Sequence, residues 1–329
     1  MSKQIKNKAQ VHCAIVGFSM AKNTPKKLFS DGRMVIAKNI NPYLMDAPNF
    51  FIKPILTPIC NVPKMTKGSQ SADGGNFILS AEEKDKLLKQ EPFVSKWIKP
   101  YLGAYEFINN KKRWCLWLKD VSPEELQKSE FVRERIEKVR EFRLKSVRYD
   151  TLRSANTPAL FQEIRQPKTR FLVIPEVSSE KRKYIPIGYL YPDTICSNKL
   201  FLIPDSQNYH FGILTSNVHM SWTRTVCGRL GLGYQYSSAV YNNFPWPTPT
   251  DKQKLAIEKT AQAILDARAL YPDCSLATLY NELTMPIELR KAHKANDKAV
   301  MQAYGFKENM SESDIVKELF KLYTELTKK

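Results

Sequence analysis

Histidine is scarce in this chain, acid is in deficit, and long apolar runs are missing. Each shortage removes a class of function. The four histidines (His12, His210, His219, His293) are far apart in 329 residues, and none has a ligand-type neighbour with which to share a metal ion or a proton. The six cysteines are equally scattered, with no short Cys-x-x-Cys spacing of a zinc knuckle or redox dithiol. Several lie inside apolar runs such as Trp114-Cys-Leu-Trp-Leu118, as reduced core thiols of a cytoplasmic protein do. No apolar stretch approaches the ~18 residues of a membrane span, and no signal peptide is visible. Glycines crowd together most densely at Gly228-Arg-Leu-Gly-Leu-Gly233. That set follows a helical pattern rather than a strand, so it reads as a helix C-cap with a flexible loop, not a cofactor cradle.

What is abundant is positive charge. Lysine and arginine number 51 against 33 acids, a net +18. The excess is uneven: residues 1–250 carry 38 basic and 21 acidic groups, residues 251–329 carry 13 and 12. A cationic front on a neutral rear suits a polyanion footprint and a packing domain respectively. A lysine-rich genome is the competing account of the same count. Hydrophobic content of 43% excludes wholesale disorder.

The patterns predict an α+β fold: a mixed β-sheet domain with inserted helices, followed by a small all-α domain. Val11-His-Cys-Ala-Ile-Val-Gly-Phe18 has the continuous apolarity of a strand buried on both faces, yet no sheet-forming unit follows it. Residues 39–75 are rich in Pro, Asn and Gly and predict loops and edge strands. Ser80-Ala-Glu-Glu83 is a capping box that opens a helix. Ser122-Pro-Glu-Glu125 opens another, predicted to run to about Lys145, with Val132, Ile136 and Val139 inside and Arg133, Arg140, Arg143 and Lys145 on the outer face. Arg113–Leu118, Phe171–Ile174, Tyr184–Tyr189 and Leu200–Ile203 predict strands. After Pro249 come helical stripes over Lys252–Tyr271, beyond Pro286, and after the cap Ser311-x-x-Asp314. The divisions expected are 1–38, 39–248 and 249–329.

No catalytic and no metal residues are assigned. Asn41-Pro42-Tyr43 lacks the second proline of a base-methylating Asn-Pro-Pro-aromatic loop and reads as a turn. Asp73 with Glu82-Glu-Lys84 has the order of a magnesium nuclease motif, but Glu82 and Lys84 fall in a capped helix start. Three segments look suited to nucleic acid. Val177-Ser-Ser-Glu-Lys-Arg-Lys-Tyr184 offers Ser178, Ser179, Lys181, Arg182 and Lys183 to phosphates. Cys196-Ser-Asn-Lys199 offers Ser197, Asn198 and Lys199 to base edges. The stretch from Ser216 to Leu230 is expected to set Arg224 and Arg229 beside exposed rings and to offer His219, Arg224 and Arg229 to phosphates. The loop after it brings Gly231, Leu232, Gly233, Tyr234 and Gln235 to the bases, with Gln235 able to pair bidentately with adenine.

Ordered strings along nearly the whole chain resemble the C-terminal part of the MmeI-like (type IIL) restriction–modification enzymes. They include Asp73-Gly-Gly75, Arg113-Trp-Cys-Leu-Trp-Leu118, Val177-Ser-Ser-Glu180, Tyr184-Ile-Pro-Ile-Gly188, Gly228-Arg-Leu230, Tyr241-Asn-Asn-Phe-Pro-Trp-Pro247 and Leu283-Thr-Met-Pro-Ile-Glu-Leu-Arg290. By that resemblance residues 1–38 are the orphan end of a methyltransferase domain, 39–248 a DNA target-recognition domain and 249–329 a helical C-terminal domain. The resemblance implies an adenine-specific DNA methyltransferase whose cofactor loop, catalytic motif and nuclease motif are absent here, so the chain is expected to be a fragment or the product of a broken gene, inactive alone. S-adenosylmethionine and magnesium are implied for the parent enzyme and no cofactor for this chain. The implied partners are double-stranded DNA and a methyltransferase domain of the same or a separate polypeptide, with no membrane. Gly231-Leu-Gly-Tyr-Gln-Tyr-Ser237 departs from the charged string usual in the family, which leaves the target sequence open. Two other readings compete: a docking subunit without DNA readout, and a stand-alone enzyme of another class.

Overall fold

The computed structural model describes residues 14–21, 25–30, 32–49 and 51–328. The fold is α+β, with helices gathered towards the C-terminus. Residues 11–13 of the expected N-terminal buried strand lie outside the described residues. Residues 14–18 carry no strand and are exposed, which corrects that expectation for this part of the run: among the described residues no strand pairs with it, and an apolar segment cannot bury itself without a partner. Instead β1 (Lys26–Ser30) and β2 (Arg33–Ala37) make an antiparallel hairpin that leaves Phe29, Val35 and Ile36 exposed.

Two bodies of core follow. The smaller is built on a four-stranded sheet in the order β10 (Ile195–Cys196), β5 (Ile98–Leu102), β6 (Trp114–Leu116), β4 (Ile78–Leu79), with β10 parallel to β5 and the rest antiparallel. The short helix α2 (Ala104–Asn109) connects β5 to β6. Helices α1 (Ala81–Gln90) and α4 (Glu130–Leu144) cover the sheet through Leu87, Val132 and Val139. Ser80 caps α1 as its spacing predicts: the Glu83 N–H donates to Ser80 Oγ at 3.1 Å and the Ser80 N–H to Glu83 Oε2 at 3.0 Å. The helix opened by Ser122 is shorter than expected. It ends as α3 (Pro123–Gln127), and Ser129 caps α4 afresh by accepting from the Val132 N–H. Arg143 is not on the outer face. It is fully buried, because its guanidinium is consumed by backbone carbonyls.

The larger body carries the sheet β3 (Thr66–Lys67), β11 (Leu200–Pro204), β7 (Phe171–Pro175), β9 (Gly188–Leu190), antiparallel throughout. Strand β9 starts later than the predicted Tyr184–Tyr189, since Pro186 denies the ladder a donor. Helices α6 (Asn208–Leu214), α7 (Asn217–Val226), α9 (Asp251–Ala269), α11 (Ile287–Ala303) and α12 (Glu312–Thr327) pack on one another, α9 against α6 and α11 and α7 against α12 and α11, with the short α8 (Ser238–Asn242) and α10 (Leu276–Leu279) between them in sequence. One continuous core joins Leu172, Ile174 and Phe201 of the sheet to Ile257, Ile264, Val300 and Leu319 of the C-terminal helices. Gly212 permits the tightest crossing: a Cβ there would sit 2.6 Å from Ile257 Cγ2. Among the described residues no helix is long and apolar enough to cross a membrane.

Candidate nucleic-acid interface

A third, small sheet brings two of the predicted segments together. Strands β12 (Gly228–Leu230), β13 (Gly233–Gln235) and β8 (Val177–Ser179) are antiparallel neighbours, with Tyr234 opposite Ser178 and Gln235 opposite Val177. The dense glycines therefore make a β-hairpin, not the expected helix cap and loose loop. Helix α7 stops at Cys227, which is extended. Gly231 then takes φ +57° at the first position of a two-residue turn, where an L side chain is strained. Pairing with β8, distant in sequence, decides the outcome. The third predicted segment joins along the same line: the Tyr236 N–H donates to the Glu176 carbonyl at 2.8 Å and the Glu176 N–H to the Lys199 carbonyl at 3.0 Å.

At this junction lies an open cleft of about 670 Å³, lined by Lys67, Arg165, Glu176, Phe201, Gln235 and Ser238 among others. The Glu176 carboxylate holds two ammonium groups, Lys67 at 2.8 Å and Lys199 at 3.0 Å. Burial raises its pKa, but the two lysines outweigh burial and leave it below the ordinary carboxylate range. Arg165 pairs with Glu163 at the rim. Gln235 is exposed and points an amide, donor and acceptor together, into a space also edged by a carboxylate and cations. That combination matches the hydrogen-bonding edges of bases in a major groove.

The other predicted residues divide. Ser179, Lys181, Lys183, Lys199, Gly231 and Gln235 are exposed, and Asn198, Arg182, Leu232 and Gly233 are half-buried. Asn198 Nδ2 reaches Gln70 Oε1 at 3.5 Å. Arg229 is tied across the hairpin, 3.3 Å from Glu180 Oε2 and with its guanidinium 4.2 Å from the centre of the Tyr234 ring. Tyr234 is buried beneath it, so its ring is not offered to a base. Ser178 and Ser197 are also buried. Strand alternation turns Ser178 inward while Ser179 faces out, and Ser197 is enclosed where its N–H donates to the Leu102 carbonyl.

Helix α7 corrects the expectation of exposed rings. Val218 to Thr223 are all buried, because the helix is enclosed by α6, α8, α11 and α12. Trp222 donates its Nε1–H to the Val240 carbonyl at 3.0 Å and packs edge-on against Phe244 and Phe320. His219 is removed from the phosphate candidates: it is fully buried, its Nε2 lies 3.0 Å from Tyr236 Oη, and burial pushes its pKa down to about 3. Arg224 is a clamp. It donates to Glu312 Oε2 and to the Lys183 carbonyl, both at 2.9 Å, fastening the end of the basic segment 177–184 to α12.

The rival motifs are occupied structurally. Asn41 Oδ1 accepts from the N–H groups of Tyr43 and Met45, a closed turn. Asp73 accepts from Ser71 Oγ and the Phe77 N–H, while Glu83 caps α1 and pairs with Arg135. Among the described residues no group of three or more His, Cys, Asp or Glu side chains is placed to hold a metal ion. Sequence reading missed Lys67, Arg165 and Glu176. Glu176 had a signal, a lone acid closing the wholly apolar run Phe171–Pro175; Lys67 and Arg165 had none, since only folding brings them to the cleft.

Known proteins share both the sequence and the fold. The MmeI target recognition domain matches residues 46–248 and the MmeI C-terminal domain residues 249–329. The chain is 37% identical over 326 residues to DNA methyltransferase A of Bacillus subtilis (strain 168), covering 98% of itself and 37% of that protein. It superposes on the type IIL restriction–modification enzyme MmeI, solved in complex with DNA, with a TM-score of 0.87 and 46% identity over 90% of this chain and 40% of MmeI. The chain thus spans about two-fifths of the length of these relatives.

Proposed function

The chain belongs to the MmeI family, and from that premise we propose that it is the sequence-reading module of a restriction–modification DNA methyltransferase. The observation that carries the proposal is the joining of three polar segments, distant in sequence, through strand pairing and the backbone of Glu176, at the edge of an open cleft lined by Lys67, Glu176 and Gln235. Lys181, Arg182, Lys183 and Arg229 supply phosphate contacts that set register. Gln235, Asn198, Lys199, Lys67 and Glu176 read base edges. The backbone at Gly231 and Gly233, with Leu232 between, permits close approach. The base presented for modification is an adenine, and the module works beside a methyltransferase domain in the same or a separate polypeptide, in the cytoplasm.

S-adenosylmethionine as methyl donor and magnesium for cleavage belong, on this reading, to the catalytic domains of the longer protein. The donor sets described above do not fit either group. The test is a titration of duplex DNA at several salt concentrations. A log–log slope of about −0.9 per phosphate contact is expected. A flat slope, or Gln235→Ala leaving sequence preference unchanged, overturns the proposal in favour of a docking subunit without readout.

A further inference from the structure

Helix α4 and α5 (Tyr149–Arg153) are joined by a turn that leaves large apolar side chains in water. Phe142, Leu144, Val147, Tyr149 and Leu152 are all exposed, Val147 completely and Tyr149 at 74%. Lys145, Arg148 and Arg153 alternate with them, whereas the ion pairs of α4, Lys138–Glu134 and Arg140–Glu137, lie further back along the helix. Contiguous apolar exposure of this kind marks an interaction surface.

The turn is held rigidly. Arg143 is fully buried and donates to five carbonyls: Ala72, Ser71, Ser154, Thr157 and Leu160, at 2.7–3.1 Å. All its bonding capacity goes into joining the end of α4 to residues 71–72 on one side and 154–160 on the other. Desolvating a guanidinium is expensive. Here it fixes a segment whose neighbouring side chains then face outwards.

We propose that this turn is a second contact for duplex DNA, with Lys145, Arg148 and Arg153 on phosphates outside the recognition cleft and the apolar side chains against sugars or a groove edge. The proposal rests on the DNA-recognition reading of the cleft. Charge complementarity selects the occupant, because three cations without an acidic partner among the described residues face outwards with a single acid, Asp150, between them. Continuity supports it. Ser71 and Ala72 follow Lys67 of the cleft by four and five residues, so an extended chain puts Ala72 within about 18 Å of Lys67, and the Arg143 guanidinium bonded to Ala72 carries the link on to the turn. The stretch from Lys67 to Ala72 is about five base-pair rises.

The experiment compares the full chain with the triple variant Lys145→Glu/Arg148→Glu/Arg153→Glu and with Gln235→Ala, titrating 30-base-pair duplexes of varied sequence across salt concentrations. The three reversed residues are exposed, and matching thermal unfolding checks that the fold is intact. The triple variant is expected to bind every sequence about tenfold more weakly or worse, with a slope shallower by roughly 0.9 for each phosphate it no longer neutralises. Gln235→Ala is expected to alter preference and keep the slope. Unchanged affinity and slope in the triple variant, with Gln235→Ala still shifting preference, overturn the second contact, assign the patch to a protein surface and leave the cleft reading intact. The reverse pattern sinks the cleft reading and keeps the second contact. Absence of binding in every form overturns both.

Discussion

The small sheet proposed to read DNA and the C-terminal helices are built to opposite rules. Strands β8, β12 and β13 are three residues each, carry exposed Ser179, Arg229 and Gln235, and turn on a positive-φ glycine. Behind them, α9 and α12 bury apolar residues, while α11 buries polar groups as well. Asp297 accepts from Tyr184 Oη at 2.6 Å and from the Asn217 N–H at 2.8 Å. His293 Nε2 lies 2.8 Å from Tyr280 Oη, and Asn296 Nδ2 donates to the Gly212 carbonyl at 2.8 Å. Each links α11 to another helix or to a connecting segment. Specific buried bonds lock the frame, so the exposed strands can change residues without moving.

Four experiments would break or sharpen that contrast. Trp222→Ala is expected to cost the most, about 3–5 kcal/mol in chemical denaturation, because it empties a large buried site and strands the Val240 carbonyl. A loss under 1 kcal/mol would mean that α7 is not part of the locked frame. Next comes pH. Burial raises the Asp297 pKa to about 6, against the lowering influence of Tyr184, the Asn217 N–H, Lys183 and Arg224. The folded state therefore holds this proton more tightly than the unfolded one. Stability from this group is full below about pH 4, falls as pH rises towards 6, and is level above. The difference from Asp297→Asn should trace that fall, on the order of 2–3 kcal/mol. A flat difference across pH 4–6 would remove the carboxyl from the frame's pH response.

Exposed positions should behave inversely. Gln235→Ala should leave stability within about 0.5 kcal/mol while costing roughly 1–3 kcal/mol of discrimination at one base position. A stability loss larger than the loss of discrimination would contradict its place at the reading edge. Lys181→Ala should do least: equal weakening on every duplex and a salt slope shallower by about 0.9. Any change in sequence preference would move Lys181 from phosphate to base.

Much of the frame was legible because capping and periodicity are local. Ser80, Ser122 and Ser311 accept from the backbone three residues on, as their spacing predicts. The apolar runs Phe171–Ile174 and Leu200–Ile203 are central strands of the large sheet. The reading site was legible as three separate segments but not as one place. Inward residues were misjudged for the same reason. Ser178, Ser197, His219 and Trp222 look polar or amphipathic in a row of letters, and only the packing of α7 and the register of β8 show that they face the interior.

Composition and local pattern alone determined the cationic front, the helical rear, the helix starts and the residue types offered to nucleic acid, because these depend on nearest neighbours and on summed charge. Tertiary structure decided that glycine-rich residues 228–235 form a hairpin, that Glu176 draws Lys67 and Lys199 onto one carboxylate, and that Arg143 and Arg224 fasten the fold. Those outcomes rest on contacts between residues far apart in the chain. Their energies come from desolvation and strand pairing, which appear only once the partner surfaces have met.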